Sequence, residues 1–218
     1  MEKTLDHISR YPALPVYYND DIQTCTEVVN ACYHGGIRVF EFVNRGDKAP
    51  ENFSRLLAYQ KEHWPDLLLG IGTIKTAAMA KVFIELGARF IVSPVVKAEI
   101  AEETLRRGIL WVPGCMTPTE ISMAEDLGAP LVKLFPGDAL GTGFLKAIKP
   151  LFPGMRFMPT GGVNPTSESI RGWLDAGVSA VGLGSKLFAA PEGASGYSWL
   201  QERCRELMEW VAGYNEQR

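Results

Sequence analysis

Eight short apolar segments recur along the chain, each followed by a stretch with helical patterning. They are Ala13–Tyr18, Arg38–Val43, Leu67–Thr73, Phe90–Pro94, Leu110–Gly114, Leu131–Pro136, Arg156–Gly162 and Ala180–Lys186. Successive segments start 20 to 29 residues apart. That interval holds a strand, two loops and a helix of three or four turns. Apolar residues occupy both alternations of a segment, as in Leu131, Val132, Leu134 and Phe135. A strand written this way is covered on both faces, which is the pattern of a parallel sheet sheathed by helices.

Helix boundaries are marked between the segments. Thr76 opens one helix and Gly87 closes it. In Thr117-Pro118-Thr119-Glu120 a capping threonine is followed by proline at the first helical position and by glutamate three residues on, with Gly128 just past the far end. Gly35, Gly87, Gly108, Gly128 and Gly177 fall at helix-to-strand turns, where a left-handed residue is expected. Eight such units without a linker predict an α/β chain folded as a single (β/α)8 TIM barrel over residues 1–218, and 218 residues suit that architecture. An open doubly wound sheet is the competing arrangement. Residues 2–10 predict an extra N-terminal helix lying across the N-terminal end of the barrel.

Composition narrows the partners. Hydrophobic residues make up 46% of the chain and the net charge is −3, so neither nucleic acid nor an anionic membrane is expected as a partner. No apolar run approaches the roughly 20 residues needed to cross a bilayer, and residues 1–10 do not read as a secretory signal. Cys25, Cys32, Cys115 and Cys204 have no metal-type spacing and are expected to be free thiols in a cytoplasmic protein. His7, His34 and His63 fall in predicted helices, so no metal centre and no cofactor is expected.

Active sites of such barrels sit at the C-terminal ends of the strands, so polar residues there carry the interest. Lys133 lies mid-strand in Leu131–Pro136 with apolar neighbours on both sides. It is either a lysine reaching for the rim or a carboxylate, or an amine that burial keeps uncharged and able to attack a carbonyl. Glu41, between Phe40 and Phe42, is either a structural partner for a buried cation or a proton shuttle, and the two roles are compatible. Arg45 starts the next loop as a solvated arginine or as a two-point clamp for a carboxylate. Thr73 ends Gly70-Ile71-Gly72-Thr73, where glycines allow close backbone approach and the hydroxyl offers a hydrogen bond. Pro159-Thr160-Gly161-Gly162 and Gly182-Leu183-Gly184-Ser185 lie at the C-terminal ends of segments seven and eight, where barrels of this type hold phosphate on backbone N–H groups. Cys115 has no histidine at a neighbouring strand end and reads as packing.

Taken in order, Gly36–Glu41, Gly70–Thr73, Ser93-Pro94, Pro113-Gly114, Val132–Pro136, Pro159–Gly162 and Gly184-Ser185 resemble the family of 2-keto-3-deoxy-6-phosphogluconate and 4-hydroxy-2-oxoglutarate aldolases. The resemblance implies a class I aldolase, usually a homotrimer, that acts on a keto-deoxy sugar acid phosphate and yields pyruvate and glyceraldehyde 3-phosphate. It implies Lys133 as the Schiff-base lysine and Glu41 as the general acid/base. Arg45 and Thr73 match groups around the pyruvate carboxylate, Pro94 and Phe135 fall among the substrate-binding positions, and Gly161, Gly162, Gly184 and Ser185 match the phosphate loops. Val16-Tyr17-Tyr18-Asn19 departs from relatives that carry a basic residue near the end of strand one, which bears on the sugar acid that fits. A sugar-phosphate isomerase or epimerase, or a barrel that only binds sugar acids, would share the same fold.

Overall fold

A computed structural model of the chain describes residues 1–215. Its strands are β1 (Ala13–Tyr17), β2 (Val39–Val43), β3 (Leu68–Gly72), β4 (Phe90–Ser93), β5 (Leu110–Cys115), β6 (Leu131–Leu134), β7 (Arg156–Pro159) and β8 (Val181–Leu183). The helices are α1 (Glu2–Arg10), α2 (Ile22–His34), α3 (Ala49–His63), α4 (Ala77–Leu86), α5 (Ala98–Arg106), α6 (Pro118–Asp126), α7 (Gly137–Ile148), α8 (Ser167–Asp175) and α9 (Ser198–Asn215). All pairings are parallel between sequence neighbours, and β1 also pairs with β8. A Thr160–Gly182 bridge joins the β7 and β8 sides, closing the barrel and excluding the open sheet.

The two alternations of each strand serve two cores. Leu14, Val39, Phe90, Val92, Leu110, Val112, Leu131, Met158 and Ala180 fill the bore. Leu5 and Ile8 of α1 join this cluster, so the predicted N-terminal helix plugs the bottom of the barrel. The other alternation packs outward beneath the helices in a second, larger cluster that includes Phe40, Phe42, Phe53 and Phe157.

Strand ends differ from the sequence expectation where the backbone leaves the extended region. The seventh segment stops at Pro159 because Gly161 and Gly162 take φ values of +91° and +71°. The eighth holds only three ladder residues, and its remainder is a turn in which Leu187 N donates to Gly184 O and Phe188 N to Ser185 O. The predicted capping box at Thr117 and the caps at Thr76 and Gly87 form. Gly87, Gly108, Gly128 and Gly177 are left-handed, but Gly35 has φ −78° and the left-handed role passes to Gly36 at +97°. Space dictates the glycine at 35, since an added Cβ would stand 2.5 Å from Cys204 Cβ and 2.6 Å from Gln201 O, both on α9.

Gly70 on β3 faces the bore where the Phe90 ring of β4 fills the space of its missing side chain. Its φ is not in the left-handed region, so Gly70→Ala tests packing alone. The substitution should lower stability by about 1–3 kcal/mol through overpacking. Urea denaturation measures this, and an unchanged midpoint would show that Phe90 can move aside.

Candidate active site

Above its apolar floor the bore turns polar. Glu41 of β2 lies in register with Val16 and Gly70, and Lys133 of β6 with Gly114 and Met158. β2 and β6 are separated by three strands on either side, so the two side chains meet across the barrel. Lys133 Nζ stands 3.7 Å from Glu41 Oε1, with side-chain exposures of 9% and 1%. That is ion-pair range but longer than a hydrogen bond, so neither group locks the other.

Local sequence explains the placement. Phe40 and Phe42 pack outward with the helices, which turns Glu41 inward. Gly72 on the adjacent strand leaves the room the carboxyl needs, since a Cβ there would overlap Glu41 Oε1. Glu41 Oε2 is buried without a hydrogen-bond partner. Burial raises the Glu41 carboxyl above its ordinary range, while Lys133 and then Arg45 draw it part of the way back. The Phe135 ring, 40% exposed, lies with its face toward Lys133 Nζ, the centroid 5.2 Å away.

The remaining predicted residues ring this pair at different depths. Arg45 is exposed in the loop after β2, yet its charge acts on Glu41. Thr73, half-buried just past β3, is the one described non-glycine residue with positive φ, at +61°. A threonine held there costs conformational energy of the kind found at ligand sites. Pro94 is half-buried, and its carbonyl occupies the space that a Cβ on Gly114 would need. Gly161 and Gly162 sit against the first turn of α7, where Gly137 N donates to Thr160 O at 2.8 Å and a Cβ on Gly162 would overlap Asp138. Gly184 and Ser185 open the turn after β8, and α9 begins only at Ser198, so this loop lacks a helix N-terminus of its own. Lys186 Nζ ties the two loops by donating to Asn164 Oδ1 at 2.6 Å. The N–H groups of Gly162 and Ser185 have no backbone acceptor among the described residues, which leaves two backbone donors for an anion, while Gly161 N–H lies on the Thr160–Gly182 bridge.

One residue had no role assigned from sequence. Thr160 is buried with its Oγ1 unpartnered, and Gly182 on β8 clears space for it. Two-residue alternation from the inward Met158 would have placed it in the bore. Cys115 is buried and its thiol is pushed up to about 12 by burial, in keeping with a packing role. His7 lies on the plug helix, and His34 and His63 end α2 and α3, all away from the strand C-termini.

Comparison with known proteins gives the family of the chain. The sequence profile described as "Aldolase: KDPG and KHG aldolase" matches residues 5–195. The 2-dehydro-3-deoxy-6-phosphogalactonate aldolase of Escherichia coli (strain K12) is 31% identical over 150 residues, 68% of this chain and 69% of that protein. The 2-keto-3-deoxy-6-phosphogluconate aldolase of Zymomonas mobilis ZM4, solved with 3-phosphoglycerate, superposes with a TM-score of 0.81 at 28% identity, covering 95% of this chain and 96% of that one. The KDPG aldolase of Legionella pneumophila, with pyruvate captured at low pH as a covalent carbinolamine intermediate, gives a TM-score of 0.82 at 28% identity over 93% of this chain and 97% of that one. The chain belongs to the KDPG and KHG aldolase family of lyases.

Proposed function

We propose that this enzyme cleaves a 2-keto-3-deoxy-6-phospho sugar acid to pyruvate and glyceraldehyde 3-phosphate through a Schiff base on Lys133, and that it also splits 4-hydroxy-2-oxoglutarate to pyruvate and glyoxylate. One observation carries the reading: an amine and a carboxyl face each other 3.7 Å apart across the bore, above its apolar floor. The names of the similar enzymes and the carbinolamine trapped in the Legionella protein support it.

Lys133 attacks the C2 ketone to give a carbinolamine. Glu41 donates a proton to the departing hydroxyl and becomes a carboxylate, leaving an iminium on Lys133. The carboxylate then takes the proton of the C4 hydroxyl as the C3–C4 electron pair flows into the iminium. An aldehyde and the enamine of pyruvate result. Returning that proton to C3 regenerates the iminium, and water releases pyruvate. Arg45 and Thr73 hold the keto-acid carboxylate, with Pro94 and Phe135 against the three-carbon unit. The glycine-rich loops of Gly161 and Gly162 and of Gly184 and Ser185 receive the phosphate on backbone N–H groups such as those of Gly162 and Ser185.

The protein is further proposed to assemble as a homotrimer in the cytoplasm, with no nucleic-acid or membrane partner. Met79, Val82 and Leu86 of α4, Leu105 of α5 and Met123 of α6 are exposed apolar residues on successive helices, a surface that a second copy would cover. Among the described residues no helix is long and apolar enough to cross a membrane. The four cysteines are free and buried, which suits a reducing compartment. Light scattering should return about three times the 24.0 kDa chain mass, and cell fractionation should place the protein with soluble cytoplasmic enzymes. A monomer, or a membrane-bound fraction, would contradict this part.

Pyruvate release from keto-deoxy gluconate and galactonate, with and without the 6-phosphate, tests the reaction. The phosphorylated acids should be the better substrates and Lys133→Met should be inactive, whereas pyruvate from none of the four would refute the assignment. Glu41→Gln should lower kcat by about 10²–10⁴-fold. Because Glu41 enters the cycle protonated, a limb of the kcat/KM profile due to it should fall as pH rises through its carboxyl value, which burial places above the ordinary value of about 4.3, and should disappear in Glu41→Gln. A limb unchanged by the substitution would assign it to another group.

A further inference from the structure

The loop that carries Arg45 is held by a closed circuit of contacts. Asn44 N donates to Gly72 O at 3.0 Å, which pins one side of the loop to β3. On the other side Gly46 lies directly against Tyr18: an added Cβ would overlap the phenol oxygen and stand 2.8 Å from Cζ and 3.0 Å from Asp20 Oδ1. Gly46 is not left-handed, so crowding and not backbone geometry demands the glycine.

Tyr18 is itself fixed. Its hydroxyl donates to Asp20 Oδ1 at 2.5 Å, and its ring packs on Phe42 with centroids 5.5 Å apart. Burial first, then the hydrogen bond to Asp20, push the phenol up to about 12, so it remains a protonated donor. Asp20 is held in turn by Asn52 of α3, only 2% exposed, whose Nδ2 donates to the main-chain oxygens of Asn19 at 3.2 Å and Asp20 at 2.9 Å. The circuit closes because α3 starts directly from the Arg45 loop, with Ala49 N donating to Gly46 O at 3.0 Å. A buried asparagine that spends both amide protons on the backbone of another loop is a structural commitment, and here it ties the ends of β1 and β2 together.

We infer that Asn52, Asp20 and Tyr18 form a positioning clamp that sets the Asn44–Asp47 loop and thereby aims Arg45 at the substrate carboxylate. These three are positioning residues that act through Arg45, so the clamp rests on the carboxylate-binding role proposed for Arg45. Its signature is a binding effect without a chemical one. A clamp that orients a carboxylate-holding arginine changes KM, whereas proton transfer at Glu41 and attack by Lys133 lie outside it.

Steady-state kinetics on the full-length enzyme tests this. Tyr18→Phe removes only the hydroxyl and should raise KM for the keto-deoxy acid about tenfold while kcat stays within about twofold. Gly46→Ala, which forces the loop off Tyr18, should raise KM at least as much. Arg45→Met should also raise KM, and adding Tyr18→Phe to Arg45→Met should change KM no further, because the clamp has then lost the group it aims. A KM unmoved by Tyr18→Phe while Arg45→Met raises it would overturn the clamp and leave the role of Arg45 intact. An additive double variant would do the same. If Arg45→Met itself leaves KM unchanged, the carboxylate role fails and the clamp fails with it. Circular-dichroism melting of each variant separates the clamp from a folding role, which would lower the melting temperature and kcat together at constant KM.

Discussion

The structure depends on keeping an amine and a carboxyl together inside a barrel with an apolar floor. Burying either group alone is expensive, and removing one member of such a pair typically costs 3–5 kcal/mol because the other is left uncompensated. Here the cost is moderated in two ways. The pair stands at ion-pair distance, and Lys133 and then Arg45 favour the charged carboxylate that burial disfavours. A carboxyl in that state can both give and take a proton, which is what a reaction passing through a carbinolamine requires.

Everything around the pair keeps it possible. Side chains from β2 and β6 meet only because the sheet closes, and the sheet closes around an apolar plug that includes Leu5 and Ile8 of α1. Upper positions in the bore are left empty where polar groups must stand. Gly72 makes way for Glu41, Gly182 for Thr160 and Gly114 for the Pro94 carbonyl. Packing is dense below and outside, and deliberately sparse at the mouth. Such a division places stability in the strands and helices and chemistry at the strand ends, as barrels generally do.

Fold was legible in the sequence because both alternations of every strand are apolar and helix boundaries carry explicit caps, as at Thr76 and Thr117. Lys133 and Glu41 stood out because each breaks an apolar run that burial should have kept clean. Strand ends were overextended where glycines at 161 and 162 turn the chain, since residue type signals a turn without saying where the ladder stops. Gly35 was misread for a related reason: its glycine answers to α9, more than 160 residues away in sequence, and no local pattern reports that contact. Thr160 was passed over because a threonine in a glycine-rich loop looks ordinary until β8 is placed beside it. Tyr18 and Gly46 reveal their relation only in three dimensions, by the overlap a side chain at 46 would create.

The most direct measurement is mass spectrometry of the enzyme after borohydride reduction in the presence of pyruvate. Covalent capture reports nucleophilic attack by the amine without requiring cleavage, substrate identity or any particular assembly. A single 1-carboxyethyl adduct of about 72 Da on the peptide containing Lys133, absent without pyruvate, is the expected result for an amine that forms a Schiff base. An unmodified Lys133, or an adduct confined to surface lysines, would contradict the account.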